Sequence, residues 1–151
     1  MTTLAHPDRT SPATDADRLG LLLGLSRPVA SDLDLLRLVA ERLDPAAVES
    51  LQAHGLSARE IAALIIPSRT LSHRRSRAER LTVEESDRAV RIARILALAA
   101  TVFGSSGRGL EWLRSPLSRL DGAAPMTLLA TDVGTRMVEE LLIQIDEGYV
   151  A

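Results

Sequence analysis

From residue 15 onward the apolar positions recur three and four apart, the spacing that lines up side chains on one face of an α-helix. Leu19, Leu22 and Leu23 form the first such group, which predicts a helix from Asp15 or Asp17 to about Gly24. The residues before it, with Pro7, Pro12 and several Thr and Ser, have no period and predict a mobile tail over 1–14. Ser31 predicts the N-cap of a second helix, with Asp34 in the capping-box position and Leu35, Leu38, Val39 and Leu43 at helical spacing. Asp44 followed by Pro45 is a cap-plus-first-turn signal for a third helix, which buries Val48 and Leu51 and stops at Gly55.

Ser57 and Glu60 form another capping box, opening a short helix through Ile61, Ala62, Leu64 and Ile65 that Pro67 must end. A further short helix starts at Pro67 or Ser68 and carries Thr70, Leu71 and the run Ser72-His73-Arg74-Arg75. Thr82 and Glu85 then cap a long helix that reaches Phe103 and stops at Gly104. From Ala89 this helix is apolar on nearly every side apart from Arg88, Arg91 and Arg94, which predicts burial on two faces, between subdomains or at a dimer interface. Beyond a Gly-rich break, Leu110, Trp112 and Leu113 mark a short helix ended by Pro116, and Pro125 opens another with Met126, Leu128 and Leu129. Thr131 caps the last helix, with an expected buried stripe of Val133, Met137, Val138, Leu141, Leu142 and Ile145, and Gly148 releases Tyr149, Val150 and Ala151.

Composition sharpens this to an all-α fold. Leu and Ala number 26 and 21 of the 151 residues, while Phe, Trp and Tyr occur once each, so a β-sandwich or a doubly wound sheet is excluded. The length suits one domain or two very small ones. With no cysteine there is no disulfide, thiolate zinc site or cysteine nucleophile, and His6, His54 and His73 lack paired-ligand spacing. No metal or cofactor is expected. All 18 basic residues are Arg, so Schiff-base and P-loop lysine chemistry are absent as well. The N-terminus has no apolar segment of a secretory signal, and the longest apolar stretch, Ile95 to Phe103, is too short to span a bilayer. The expectation is a soluble cytoplasmic protein with no membrane partner.

Charge is unevenly placed. Residues 1–56 carry five Arg against eight acids, 57–94 carry nine against five, and 95–151 carry four against seven. A basic middle between acidic flanks predicts one anion-facing surface. Within it, two short helices joined by a tight turn describe a helix-turn-helix over Ser57 to Arg75, with Ile61, Leu64 and Leu71 anchoring the pair. The candidate DNA-reading residues are Ser68, Arg69, Thr70, Ser72, His73, Arg74 and Arg75, since a guanidinium bridges guanine O6 and N7 or grips a phosphate. The same pattern fits a solvated basic face on a helical hairpin. The turn has no Gly, with Ile65, Ile66 and Pro67 where a left-handed residue is usual, and Ala62 and Leu71 stand one step closer than in the commonest pattern.

Other motifs carry little chemistry. Gly104, Gly107 and Gly109 precede a helix, but without a strand, a Lys or a downstream acid they read as a turn and not a phosphate loop. No nucleophile elbow is present, and a lone Trp112 at helical spacing with Leu reads as core.

The last fifty residues hold a more specific series: Val102-Phe103-Gly104, Trp112-Leu113, Pro116, Leu120-Asp121-Gly122, Ala124-Pro125, Leu128-Leu129, Thr131, Gly134, Val138, Leu141, Ile145 and Gly148. In order and spacing it resembles the toxin-binding domain of the Xre/MbcA/ParS antitoxins, and about Asp32 to Ala100 resembles the Xre-type helix-turn-helix of that family. The organisation this suggests is a tail over 1–14, a helix-turn-helix unit over 15–96 and a toxin-binding unit over 97–151. The resemblance implies a stoichiometric protein with no catalysis of its own, whose partner is a RES-domain (ParT-like) toxin that degrades NAD or transfers its ADP-ribose. It also implies repression of the antitoxin's own operon through operator DNA. Toxin contacts are expected from Trp112, Leu113, Pro116, Leu128, Thr131, Leu141 and Ile145, with Tyr149, Val150 and Ala151 closing the toxin's NAD site. The long apolar helix and the two half-sites of helix-turn-helix operators predict a homodimer. A stand-alone dimeric repressor with no toxin partner is the competing class.

Overall fold

The computed structural model describes residues 14–148, and every regular element among them is a helix. In chain order these are α1 (Asp15–Leu22), α2 (Asp32–Glu41), α3 (Ala46–Ala53), α4 (Ala58–Leu64), α5 (Ser68–Ser76), α6 (Val83–Phe103), α7 (Ser106–Arg114), a 3₁₀ turn at Ser118–Leu120, α8 (Pro125–Leu128) and α9 (Asp132–Asp146). Most starts are made by the predicted side chains. Ser57 and Thr82 each close a reciprocal capping box with the acid three residues on, and Thr14, which the sequence pattern assigns to the tail, does the same with Asp17 for α1. Ser31 caps α2, but Asp34 accepts from the N–H of Ala30 instead of that of Ser31, so this box is displaced by one residue. Asp44 accepts from the Ala46 N–H at 2.9 Å and thereby starts α3 across Pro45.

α6 is the axis of the molecule, and α1, α2, α3, α7 and α9 all pack against it. Its Ala89, Ile92, Ala93, Ile95, Leu96, Ala97, Ala99 and Ala100 are all buried. Burying an Ile or Leu side chain such as Ile92 or Ile95 is worth roughly 1.5–3 kcal/mol, so a helix apolar all round is stable only when enclosed. Here the chain encloses it alone, which corrects the expectation that α6 leaves apolar surface for a second copy. α6 also runs unbroken through the 96/97 boundary, so the two units share a helix and no linker separates them.

α7 leaves α6 at 110° and folds back on it. The close contact depends on Gly109, where a Cβ would stand 2.9 Å from the backbone of Ala99 and Ala100. Gly134 does the same for α9, since its Cβ would lie 1.9 Å from the Leu128 carbonyl oxygen. α9 differs from the expected pattern. Its core face is Gly134, Thr135, Val138 and Leu142, whereas Val133 is 64 % and Met137 44 % exposed, with Leu141 and Ile145 half-buried beside them. The apolar arc of α9 is wider than the face that α6 and α8 cover, so its Val133 edge is left in solvent.

Candidate functional site

The α4–α5 pair is held from below by Ile61, Leu64 and Leu71, all buried. Its turn needs no glycine. Ile65 sits at φ −122°, and both Ile65 and Ile66 enter the core while their N–H groups donate to the Ile61 carbonyl at 2.9 and 3.0 Å. Arg88 of α6 donates to the Ile65 carbonyl at 3.1 Å, so this buried turn keeps its polar groups satisfied. The expected obstacle of a missing left-handed residue is therefore absent. Ala62 points to solvent.

α5 displays Ser68, Arg69, Ser72, His73 and Arg75 on the surface, with Thr70 partly covered. Arg75 is engaged by Glu49 of α3 at 2.5 Å, both side chains remaining about half-exposed. Arg74 is not presented with the others. Its guanidinium turns back to Glu85 at 2.8 Å and Glu79 at 3.4 Å, and its side chain is 20 % exposed. Burial pushes the Glu85 carboxyl up, but the hydrogen bond from Arg74, the Thr82 N–H and the neighbouring positive charge outweigh it and hold the group below the usual carboxylate range. Arg74 therefore fixes α5 to the start of α6. Two further arginines flank the exposed set and were not selected by motif: Arg59 on α4 and Arg77 just past α5 are both exposed. Their signal was their surplus in the basic middle of the chain.

In the C-terminal half, Trp112 is half-buried and tilted against Phe103 with ring centroids 5.4 Å apart. Leu113 is fully buried, so it supports this region without offering surface. Pro116 is exposed, Leu128 half-buried, and Thr131 is the exposed N-cap of α9, accepting from the Gly134 N–H at 3.0 Å. Tyr149, Val150 and Ala151 lie outside the described residues. The exposed large apolar side chains of α9 are Val133, Met137 and Ile143, and the first two continue through the half-buried Leu141 and Ile145 in a row four residues apart along one side of the helix.

The two halves are tied together. Arg114 at the end of α7 donates from Nη2 to Glu60 Oε1 at 2.7 Å, from Nε to Glu60 Oε2 at 3.1 Å, and from Nη2 to the Gly55 carbonyl at 2.7 Å. A cavity of about 400 Å³ between α1, α2, α6 and α9 is lined by Arg91, Arg94 and Arg136 together with Asp15, Asp32, Asp132 and Glu139, a mixed set with no nucleophile–base pairing. Among the described residues no cluster of three His, Asp or Glu has the geometry of a metal site, and no single helix is long and apolar enough to cross a membrane.

Residues 34–94 match the antitoxin Xre-like helix-turn-helix domain, and residues 98–148 match the antitoxin Xre/MbcA/ParS C-terminal toxin-binding domain. An antitoxin Xre of Pseudomonas putida is 52% identical over 85 residues, 56% of this chain and 54% of the relative. Proteins of the same name from Yersinia enterocolitica and Photorhabdus laumondii are 36% identical over 84 residues and 30% identical over 87, covering 55% and 57% of this chain and 57% and 59% of their own lengths. The chain thus spans a little over half the length of the curated relatives it matches. Both domains occur in order, with α4–α5 inside the first and α7–α9 inside the second, and the protein belongs to the Xre/MbcA/ParS antitoxin family.

Proposed function

We propose that this antitoxin neutralises a RES-domain, NAD-consuming toxin through α7–α9 and represses its own operon through α4–α5, acting in the cytoplasm. The observation that carries the toxin half is the exposed row on α9. Val133 and Met137 stand in solvent within the residues that match a toxin-binding domain. An amphipathic helix with a second, uncovered apolar edge suits a hydrophobic groove on a partner. Trp112, Pro116, Leu128, Thr131, Leu141 and Ile145 would rim or support that contact, with Leu113 acting from the core. Tyr149, Val150 and Ala151 would follow α9 into the NAD site, the phenol standing where a nucleotide ring binds.

For DNA, the exposed Arg69, Ser68, Ser72 and His73 would reach base edges or phosphates, with Thr70 and Arg75 beside them. Arg74 would act only by holding α5 in place. The homodimer expected for two half-sites would use α2, where Leu33 and Leu36 are 53 % and 65 % exposed on one face. The test is co-expression with the toxin encoded by the adjacent reading frame. Recovery of a stable complex supports this reading, whereas a chain that purifies alone and still shifts its promoter DNA leaves the stand-alone repressor.

A further inference from the structure

We infer that Arg114, carried by α7 of the toxin-binding unit, is a positioning residue for the DNA-reading pair α4–α5. The inference rests on the DNA reading of α5 given above. α4 has only seven residues, too short to hold its own geometry without tertiary support. Its first turn is organised by Glu60, whose Oε1 accepts from the Ser57 N–H at 2.9 Å to close the capping box. The same carboxylate takes both arms of the Arg114 guanidinium, which also grips the Gly55 carbonyl one turn earlier in the chain. A planar fork satisfies these three acceptors together, and a point charge does not. With 17 % of its side chain exposed, Glu60 is more shielded than an ordinary surface partner. Leu110 adds a packing contact, since a Cβ on Gly55 would come within 2.6 Å of its side chain. α5 is fixed in a parallel way by Arg74 on Glu85, also a capping-box acid. Each helix of the pair is thus oriented by a guanidinium on a capping carboxylate, and for α4 that guanidinium comes from the other unit. DNA affinity is consequently set in part from α7.

The test uses the full chain and four variants, Arg114→Gln, Arg114→Lys, Glu60→Gln and the double Arg114→Gln/Glu60→Gln, with amide exchange and DNA binding as separate readouts. Without DNA, Arg114→Gln should raise exchange over residues 55–61 while protection of α9 stays as in the parent. Unchanged exchange there overturns the inference. With a duplex taken from immediately upstream of the gene, Arg114→Gln and Glu60→Gln should each weaken binding about tenfold, and the double variant should be little worse than either alone. The salt dependence should keep its slope, because no phosphate contact is lost, and Arg114→Lys should fall between parent and Gln. A slope reduced by about one means that Arg114 itself touches phosphate and also overturns the inference. If the parent does not bind the duplex, the DNA reading fails, and the exchange measurement still decides whether Arg114 orients α4.

Discussion

The carboxylate of Glu85 serves two helices at once, accepting the Thr82 N–H at 3.2 Å to start α6 and the Arg74 Nε at 2.8 Å to anchor α5. Arg74→Ala should therefore cost on the order of 2 kcal/mol, because it strands a largely buried carboxylate, and lower Tm by about 4–8 °C. Since the folded carboxyl is held below its ordinary value, its contribution is present above the unfolded pKa of about 4.3 and is lost as pH falls through the folded value. Glu85→Gln should flatten that part of the acid limb in thermal scans. Arg69→Ala should do the opposite, leaving Tm within about 1 °C while weakening DNA binding by roughly 1–3 kcal/mol for a base contact, or cutting the salt slope by about one for a phosphate contact. Equal effects of Arg69 and Arg74 on stability would remove the distinction between reader and anchor.

A second buried tie joins α6 to the α2–α3 connection. The Leu43 N–H donates to Ser86 Oγ at 2.9 Å, Ser86 is fully buried, and the Leu43 carbonyl accepts from the Leu81 N–H at 2.9 Å. Ser86→Ala removes the acceptor and leaves a buried amide unpaired, a loss of about 1–3 kcal/mol. Chemical denaturation should show a lower midpoint with an unchanged m-value.

On α9, Met137→Glu and Val133→Glu alter side chains already in solvent, so Tm should move little. Toxin affinity should drop by at least tenfold for each, because a carboxylate would be buried without a partner. Titration calorimetry against the co-expressed toxin measures this. Val138→Glu, by contrast, should unfold the C-terminal unit, since Val138 is fully buried.

Deleting Tyr149 to Ala151 should leave a complex that forms with near-parental affinity but regains NAD-consuming activity. A truncated protein that inhibits as fully as the parent would assign the block to the body of α9.

Helix starts were legible in the sequence because capping is a contact over three residues: Ser31, Ser57, Thr82 and Thr131 each act on a backbone N–H three positions on. The all-helical fold followed from the same short-range physics of propensity and spacing. What local pattern could not decide was which apolar side chains the core would accept. Val133 and Val138 look alike in a periodic reading, yet only the packing of α9 on α6 and α8 sends one into solvent and the other into the core. The surplus apolar face of α6 likewise suggested a partner chain until α1, α2, α7 and α9 were found to cover it. Nor does a run of arginines say which of them are free. Arg74 is spoken for by an acid eleven residues away and Arg114 by one at a distance of 54, pairings that exist only once the helices have packed. Local chemistry determined the elements, and tertiary contact decided which of their side chains remain available to a partner.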